Sequence, residues 1–254
     1  MNIGVSMLYP SEYREKQTDL AVVVPTYNER DNIAELINGI ETSLKGISFE
    51  ILVIDDNSPD RTADEAEELK RKYSNIRVVR RPSKLGLGSA VADAFKKTGA
   101  SVLAVMDADL QHPFELLPGM YEKAREGYDL VLASRYVEGG KIEDWSLVRR
   151  IVSWGAIRLA HLILPKTRGV KDAVSGYFIL RREAIDGVEL NPKGYKILLE
   201  ILSLGKCSSV VEVPYTFNPR RKGRSKLVLK EITNYIRLLI KLKREGNLAA
   251  IKTT

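Results

Sequence analysis

The stretch ASVLAVMDADLQHP, Ala100 to Pro113, decides how this 254-residue chain is read. Its first seven residues are small or apolar, too short a run for a buried helix, and therefore a buried strand. The strand ends on Asp107 and Asp109, so two carboxylates emerge together at its C-terminal end. Outward from it lie similar runs: LAVVVPTY from Leu20, FEILVIDD from Phe49, NIRVVRR from Asn75 and YDLVLASRY from Tyr128. Longer stretches of helical period separate them, the pattern of βαβ units on a mainly parallel sheet. Open sheets of that kind bind ligands beyond the C-terminal ends of their strands. After Tyr136 the spacing predicts an amphipathic helix over Trp145–Leu164, a strand in GYFILRR from Gly176, and a helix over Tyr195–Leu204. A strand in SVVEVPYTF from Ser209 and a last amphipathic helix over Lys226–Arg244 follow. On that last helix Lys226, Lys230, Arg237, Lys241 and Arg244 fall on one stripe.

At 44% hydrophobic residues the chain can fill a sizeable core. The organisation expected is an N-terminal extension over 1–19, one α/β domain over 20–217, and a basic loop with a C-terminal amphipathic helix over 218–254. The lone cysteine, Cys207, excludes an internal disulfide framework and a cysteine-rich zinc site. The N-terminal residues do not form a secretory signal, and no run approaches the roughly 20 apolar residues of a membrane span. The expected location is therefore the cytoplasmic side, with no transmembrane segment. The net charge is +7, but the stretch from Asn218 onward carries +9 and the rest −2. Such a basic segment points to an anionic partner: phosphates, anionic lipid or nucleic acid. Its cations are interleaved with Leu and Ile instead of stacking aromatics, which argues against nucleic acid.

Asp107 and Asp109 suit Mg²⁺ or Mn²⁺, which take oxygen donors and keep positions open for substrate phosphates. Gln111 can add a carbonyl ligand or a supporting hydrogen bond without adding charge, and His112 reads as a loop residue. Pro25-Thr26-Tyr27-Asn28-Glu29 closes the first strand with an aromatic face and a carboxylate. Asp55 to Asp60 closes the second, with Asp56 able to accept bonds from a nucleoside and Asp60 placed to cap the following helix. Three acidic strand ends on one sheet edge favour a nucleotide and metal site over three separate caps. Lys84-Leu85-Gly86-Leu87-Gly88 fits either a glycine loop cradling a diphosphate or an ordinary turn.

In this order PTYNE, VIDDNSPD, KLGLGSA, DADLQHP and SRY resemble the family 2 glycosyltransferases with a GT-A fold. WSLVRR, DAVSGYF and FNPRRKGRSK narrow the resemblance to the dolichyl-phosphate mannose synthases and their polyprenyl-phosphate relatives. The resemblance implies that Pro25, Tyr27, Glu29 and Asp56 hold the nucleoside of a nucleotide sugar, and in the glycine-loop reading Lys84 holds its diphosphate. Asp107, Asp109 and Gln111 would hold the metal, and Arg135, Arg149 and Ser153 the acceptor's phosphate. Arg220 and Lys226 would close over the diphosphate on a loop bending at Gly223, so that catalysis falls to Asp109, Arg135, Arg220 and Lys226.

The implied reaction moves mannose from GDP-mannose to dolichyl phosphate with inversion. A lipid phosphate is already anionic and needs no general base. A donor such as UDP-glucose would keep the same chemistry. A hydroxyl acceptor would require a carboxylate base, with Asp172 the first candidate. The helices over 145–164 and 226–244 would lay apolar faces on the bilayer or on a membrane-embedded partner protein, the alternative being packing against the sheet.

Overall fold

The structure, a computed structural model, describes residues 18–192, 194, 196–219 and 229–252. Strands β1 (Leu20–Thr26), β2 (Phe49–Asp55), β3 (Ile76–Arg80), β4 (Val102–Val105) and β5 (Leu130–Ser134) form where the apolar runs predict them. Two-residue β6 (Lys141–Ile142) follows, then β7 (Phe178–Arg181), β8 (Val210–Pro214) and β9 (Thr216–Phe217). Seven of these make one sheet in the order β3-β2-β1-β4-β7-β5-β8, and β6 pairs with β9 apart from it. Only β7 runs antiparallel within the large sheet. All seven residues of β1 are buried, as a central strand covered on both faces requires.

The helices are α1 (Arg30–Ser43), α2 (Thr62–Leu69), α3 (Leu87–Lys97), α4 (Leu117–Arg125), α5 (Leu147–Ile163), α6 (Ile197–Leu204) and α7 (Leu229–Lys252). Residues of α1, α2 and α4 fill the core on one face of the sheet. Those of α3, α5, α6 and α7 fill the other. In-register parallel pairing sets Thr26 beside Asp55 and Val23 beside Val105, so the three acidic strand ends meet on one edge.

The two amphipathic helices differ in how they use their apolar residues. In α5 only Ile157 and Ala160 are buried, while Leu147, Ile151, Trp154 and Leu162 are 73%, 59%, 54% and 73% exposed. Packing against the sheet therefore accounts for little of this helix. In α7 Leu238, Leu239 and Leu242 enter the core, while Ile232, Ile236 and Ile240 remain outside. The Tyr235 hydroxyl joins α7 to α5 by donating to the Ala156 carbonyl at 2.7 Å. Lys241 leaves the basic stripe expected of it. Its ammonium donates to the Asn191 carbonyl at 2.8 Å and lies 3.4 Å from buried Glu200, the charge that draws it inward. Among the described residues no helix is long and apolar enough to cross a membrane.

Candidate active site

A cavity of about 1120 Å³ opens where the strand ends meet α5 and α7. Pro25, Tyr27, Glu29 and Lys84 line one end of it, Asp107, Asp109 and Gln111 its floor, and Arg135, Arg149 and Ser153 the other end. One fold thus gathers candidates spread over more than a hundred positions of sequence. Arg220 and Lys226 lie outside the described residues.

The acidic motif is held from below. Leu110 adopts a left-handed backbone with φ 61°, which turns the chain so that the Gln111 amide donates to Asp109 Oδ1 at 3.2 Å. His112 is buried, its ring stacked on Tyr177 at 5.1 Å, and its Nδ1 accepts from the Asp107 amide at 3.2 Å. That bond requires a neutral ring with its proton on Nε2. Burial enforces this state, bringing the His112 pKa down to about 4. His112 is thus more than a loop residue: it positions the Asp107 backbone. Gly176 completes the floor, since a Cβ there would stand 3.1 Å from Asp107 Oδ2 and 3.5 Å from His112 Cε1.

Gln111 Nε2 donates to the Asn218 carbonyl at 2.8 Å, which leaves the amide oxygen as the group it can offer a cation. Two carboxylates and a neutral carbonyl make an oxygen-only donor set suited to Mg²⁺ or Mn²⁺. Among the described residues no three His, Cys, Asp or Glu side chains form a cluster able to hold a metal. The protein side of this site is therefore sparse, as it is when substrate phosphates complete the coordination.

At the first strand end the Lys84 ammonium stands 3.6 Å above the Tyr27 ring, a cation–π contact. Glu29 occupies the position before α1 and accepts from Asn32 Nδ2 at 2.7 Å. Asp60 is not the N-cap expected of it: Arg61 holds that position, and Asp60, one residue earlier, accepts from the Thr62 amide on Oδ1 at 3.0 Å.

Asp56 does not line the cavity. Its side chain is almost fully buried, in contact with Arg81 and accepting from the Gly86 amide at 2.7 Å. The same contacts bear on the glycine loop: the Gly86 amide is engaged by Asp56 and the Gly88 amide by the Gly194 carbonyl at 2.9 Å. The loop reaches the cavity through Lys84, Leu87 and Gly88, while those two backbone amides are engaged within the protein.

Arg135 and Asp172 form a buried fork. Arg135 Nε and Nη2 donate to the two oxygens of Asp172 at 2.8 and 2.7 Å, and the Arg135 amide adds a third bond at 3.1 Å. Burial opposes the guanidinium charge, but the hydrogen bonds and charge of Asp172 outweigh it and raise the Arg135 pKa above its usual range. Asp172 is 0% exposed with both oxygens taken, which corrects its reading as the reserve general base. Arg149 stacks on Trp145 at 4.1 Å, and Ser153 accepts from the Tyr136 hydroxyl at 2.9 Å.

The sequence reading missed Lys196, which lines the same cavity and donates to the Val174 carbonyl at 2.8 Å. It stands one residue before α6, in none of the recognised motifs, and nothing in its spacing marks it.

Residues 21–188 match the family model described as Glycosyl transferase family 2. The dolichol-phosphate mannosyltransferase of Pyrococcus furiosus is 50% identical over 233 residues, 91% of this chain and 66% of its own length. The chain thus spans just under two thirds of that relative. The dolichol-phosphate mannosyltransferase of Saccharomyces cerevisiae is 34% identical over 236 residues, covering 88% of this chain and 86% of that protein. Among solved structures, glucosyl-3-phosphoglycerate synthase from Mycobacterium tuberculosis, in complex with Mn²⁺, UDP and glucosyl-3-phosphoglycerate, superposes with a TM-score of 0.68. It covers 90% of this chain and 80% of its own at 22% identity, and so shares the GT-A fold. The family model and the curated relatives agree: this chain belongs to glycosyl transferase family 2.

Proposed function

We propose that this chain transfers mannose from GDP-mannose to dolichyl or another polyprenyl phosphate, with inversion, at the cytoplasmic face of a membrane. The observation that carries the reading is the polarity of one continuous cavity. It runs from Tyr27, Glu29 and the acidic pair to Arg135, Arg149 and Ser153, then onto apolar Val152, Leu159, Ile232 and Ile236. A cavity that continues from phosphate-binding groups onto aliphatic side chains suits an amphiphilic acceptor. The 50% identity to a dolichol-phosphate mannosyltransferase supports mannose and a dolichol-type acceptor in particular.

In this reading Tyr27, Pro25 and Glu29 hold the nucleoside and Lys84 the diphosphate. Asp107, Asp109 and the Gln111 carbonyl would hold Mg²⁺ or Mn²⁺, whose positive charge would stabilise a departing diphosphate. Arg149 presents its planar guanidinium fork to the acceptor phosphate, and Arg135, whose Nε and Nη2 are engaged by Asp172, adds its positive charge beside it. A phosphate oxygen attacks the anomeric carbon as the bond to the nucleoside diphosphate breaks, and the electron pair leaves with GDP. The nucleophile is already anionic, so no base need act, in keeping with an Asp172 carboxylate committed to Arg135. Arg220 and Lys226 would close over the diphosphate.

The exposed apolar residues of α5, with Arg149, Arg150 and Arg158 on the same helix, suit contact with a bilayer or a membrane-embedded partner protein.

The test is transfer of radiolabel from GDP-mannose to a short polyprenyl phosphate in detergent, with Mn²⁺ or Mg²⁺ and with EDTA, beside UDP-glucose. Metal-dependent label in the lipid phase from GDP-mannose is expected, and Asp109→Ala should abolish it. Label from UDP-glucose alone would overturn the donor assignment.

A further inference from the structure

The loop between β3 and α3 carries Lys84 on a short exposed arch. Both ends of the arch are pinned. The Arg81 amide donates to the Asp55 carbonyl at 2.8 Å, Asn57 Nδ2 donates to the Pro82 carbonyl at 3.3 Å, and the Gly86 amide donates to Asp56 Oδ2 at 2.7 Å. Ser83, Lys84 and Leu85 lie exposed between these anchors. The backbone is thus held from both sides, while the flexible four-carbon stem of Lys84 can swing.

The Lys84 ammonium stands 3.6 Å from the centroid of the Tyr27 ring. Carbon atoms in contact are separated by about 3.5–4.0 Å, so the ammonium takes the room that a flat base stacked on that face would need. Both residues line the cavity that also holds Asp107 and Asp109. Among the described residues Lys84 forms no ion pair, and the Tyr27 ring is what holds its charge. A base stacking there has to push the ammonium off the ring. For a nucleoside nothing replaces the lost contact, which at an exposed site weakens binding by about two- to fivefold. A nucleoside diphosphate brings the replacement with it, because bonds from an ammonium to phosphate oxygens are charge-assisted and stronger than neutral ones.

We propose that Lys84 is a specificity-determining residue that selects nucleoside diphosphates over nucleosides: its ammonium competes with the base for Tyr27 and leaves the ring for the diphosphate. This rests on the reading of the donor as a nucleoside diphosphate sugar whose base stacks on Tyr27. The proposal goes beyond a diphosphate contact, since it gives removal of Lys84 opposite effects on two ligands that share a base.

The test is equilibrium binding of guanosine and GDP, with uridine and UDP beside them, to the whole protein with Mg²⁺ throughout. Wild type, Lys84→Ala and Lys84→Arg are compared. Lys84 is exposed, so these changes should leave the fold intact, which circular dichroism checks. Lys84→Ala should bind guanosine about two- to fivefold more tightly and GDP about fivefold or more weakly. Lys84→Arg, which keeps both the ring contact and the charge, should stay within about twofold of wild type on each ligand. Weaker GDP binding with unchanged guanosine binding would overturn the proposal and leave Lys84 a diphosphate ligand alone. Weakening of both ligands would overturn it too, making Lys84 a support for the base. The opposed effects on uridine and UDP, with guanosine and GDP not bound, would uphold the exchange and overturn GDP as the donor nucleotide. Wild type that binds neither GDP nor UDP would refute the nucleotide-sugar reading itself.

Discussion

Asp172→Asn tests whether the buried fork with Arg135 is as decisive as its geometry implies. The Asp172 side chain is 0% exposed and that of Arg135 7%, with three hydrogen bonds of 2.7 to 3.1 Å between the residues. Asparagine keeps the shape and one oxygen. It turns an NH₂ toward a guanidinium N–H or the Arg135 amide, and it removes the counter-charge of a buried cation. Removing one partner of a buried ion pair costs about 3–5 kcal/mol. Unfolding entropy of about 2.1 cal/mol/K per residue gives roughly 0.5 kcal/mol/K for a chain of this length. The melting temperature should therefore fall by roughly 6–10 °C. Calorimetry on wild type, Asp172→Asn, Arg135→Met and the double variant measures both the drop and the coupling. The single changes should be strongly non-additive, because each destroys the same bonds. A fall of less than about 2 °C, or additive effects, would refute the view that this pair organises the acceptor end.

Two further outcomes follow from the same structure. Gly176→Ala should lower transfer activity severalfold while leaving the fold intact, because its Cβ would press on Asp107 Oδ2 at 3.1 Å; raised Mn²⁺ demand in the assay is the diagnostic. Burial, aided by the Asp129 charge, pushes the Cys207 thiol up to about 11, so thiolate is scarce at pH 8 and grows as pH rises. Iodoacetamide should modify native protein slowly, about tenfold faster per pH unit up to pH 10; a rate at pH 8 equal to that of free cysteine would contradict it.

Much of the architecture was legible because it depends on local periods. Apolar runs such as Leu20–Thr26 and Val102–Val105 are strands whatever surrounds them, and parallel pairing necessarily sends their acidic ends to one edge. The strand ends that carry Pro25, Tyr27, Asp107 and Asp109 were therefore placed on one edge by pattern, while the ligand each would hold was implied by the resemblance to family 2 glycosyltransferases. The outward apolar face of α5 was visible as a stripe, but a stripe carries no information on what covers it. The fold shows that Ile157 and Ala160 face the core while Leu147 and Ile151 do not.

What only the tertiary structure decided is how the charges are paired. Arg81 reaches Asp56 across 25 positions, Arg135 reaches Asp172 across 37, and Lys241 reaches Glu200 across 41. No period in the sequence links such residues. Their pairing depends on which loops the sheet order brings together, and a buried charge takes whichever opposite charge lies within reach. So Asp56 turned away from the cavity, Asp172 ceased to be a candidate base, and Lys196 entered a site that no motif assigned it to. The sequence by itself determined where the ligand edge lies, through periods that each segment carries alone. Which of its polar groups remain available to a ligand was decided by contacts that exist only once distant segments have folded together.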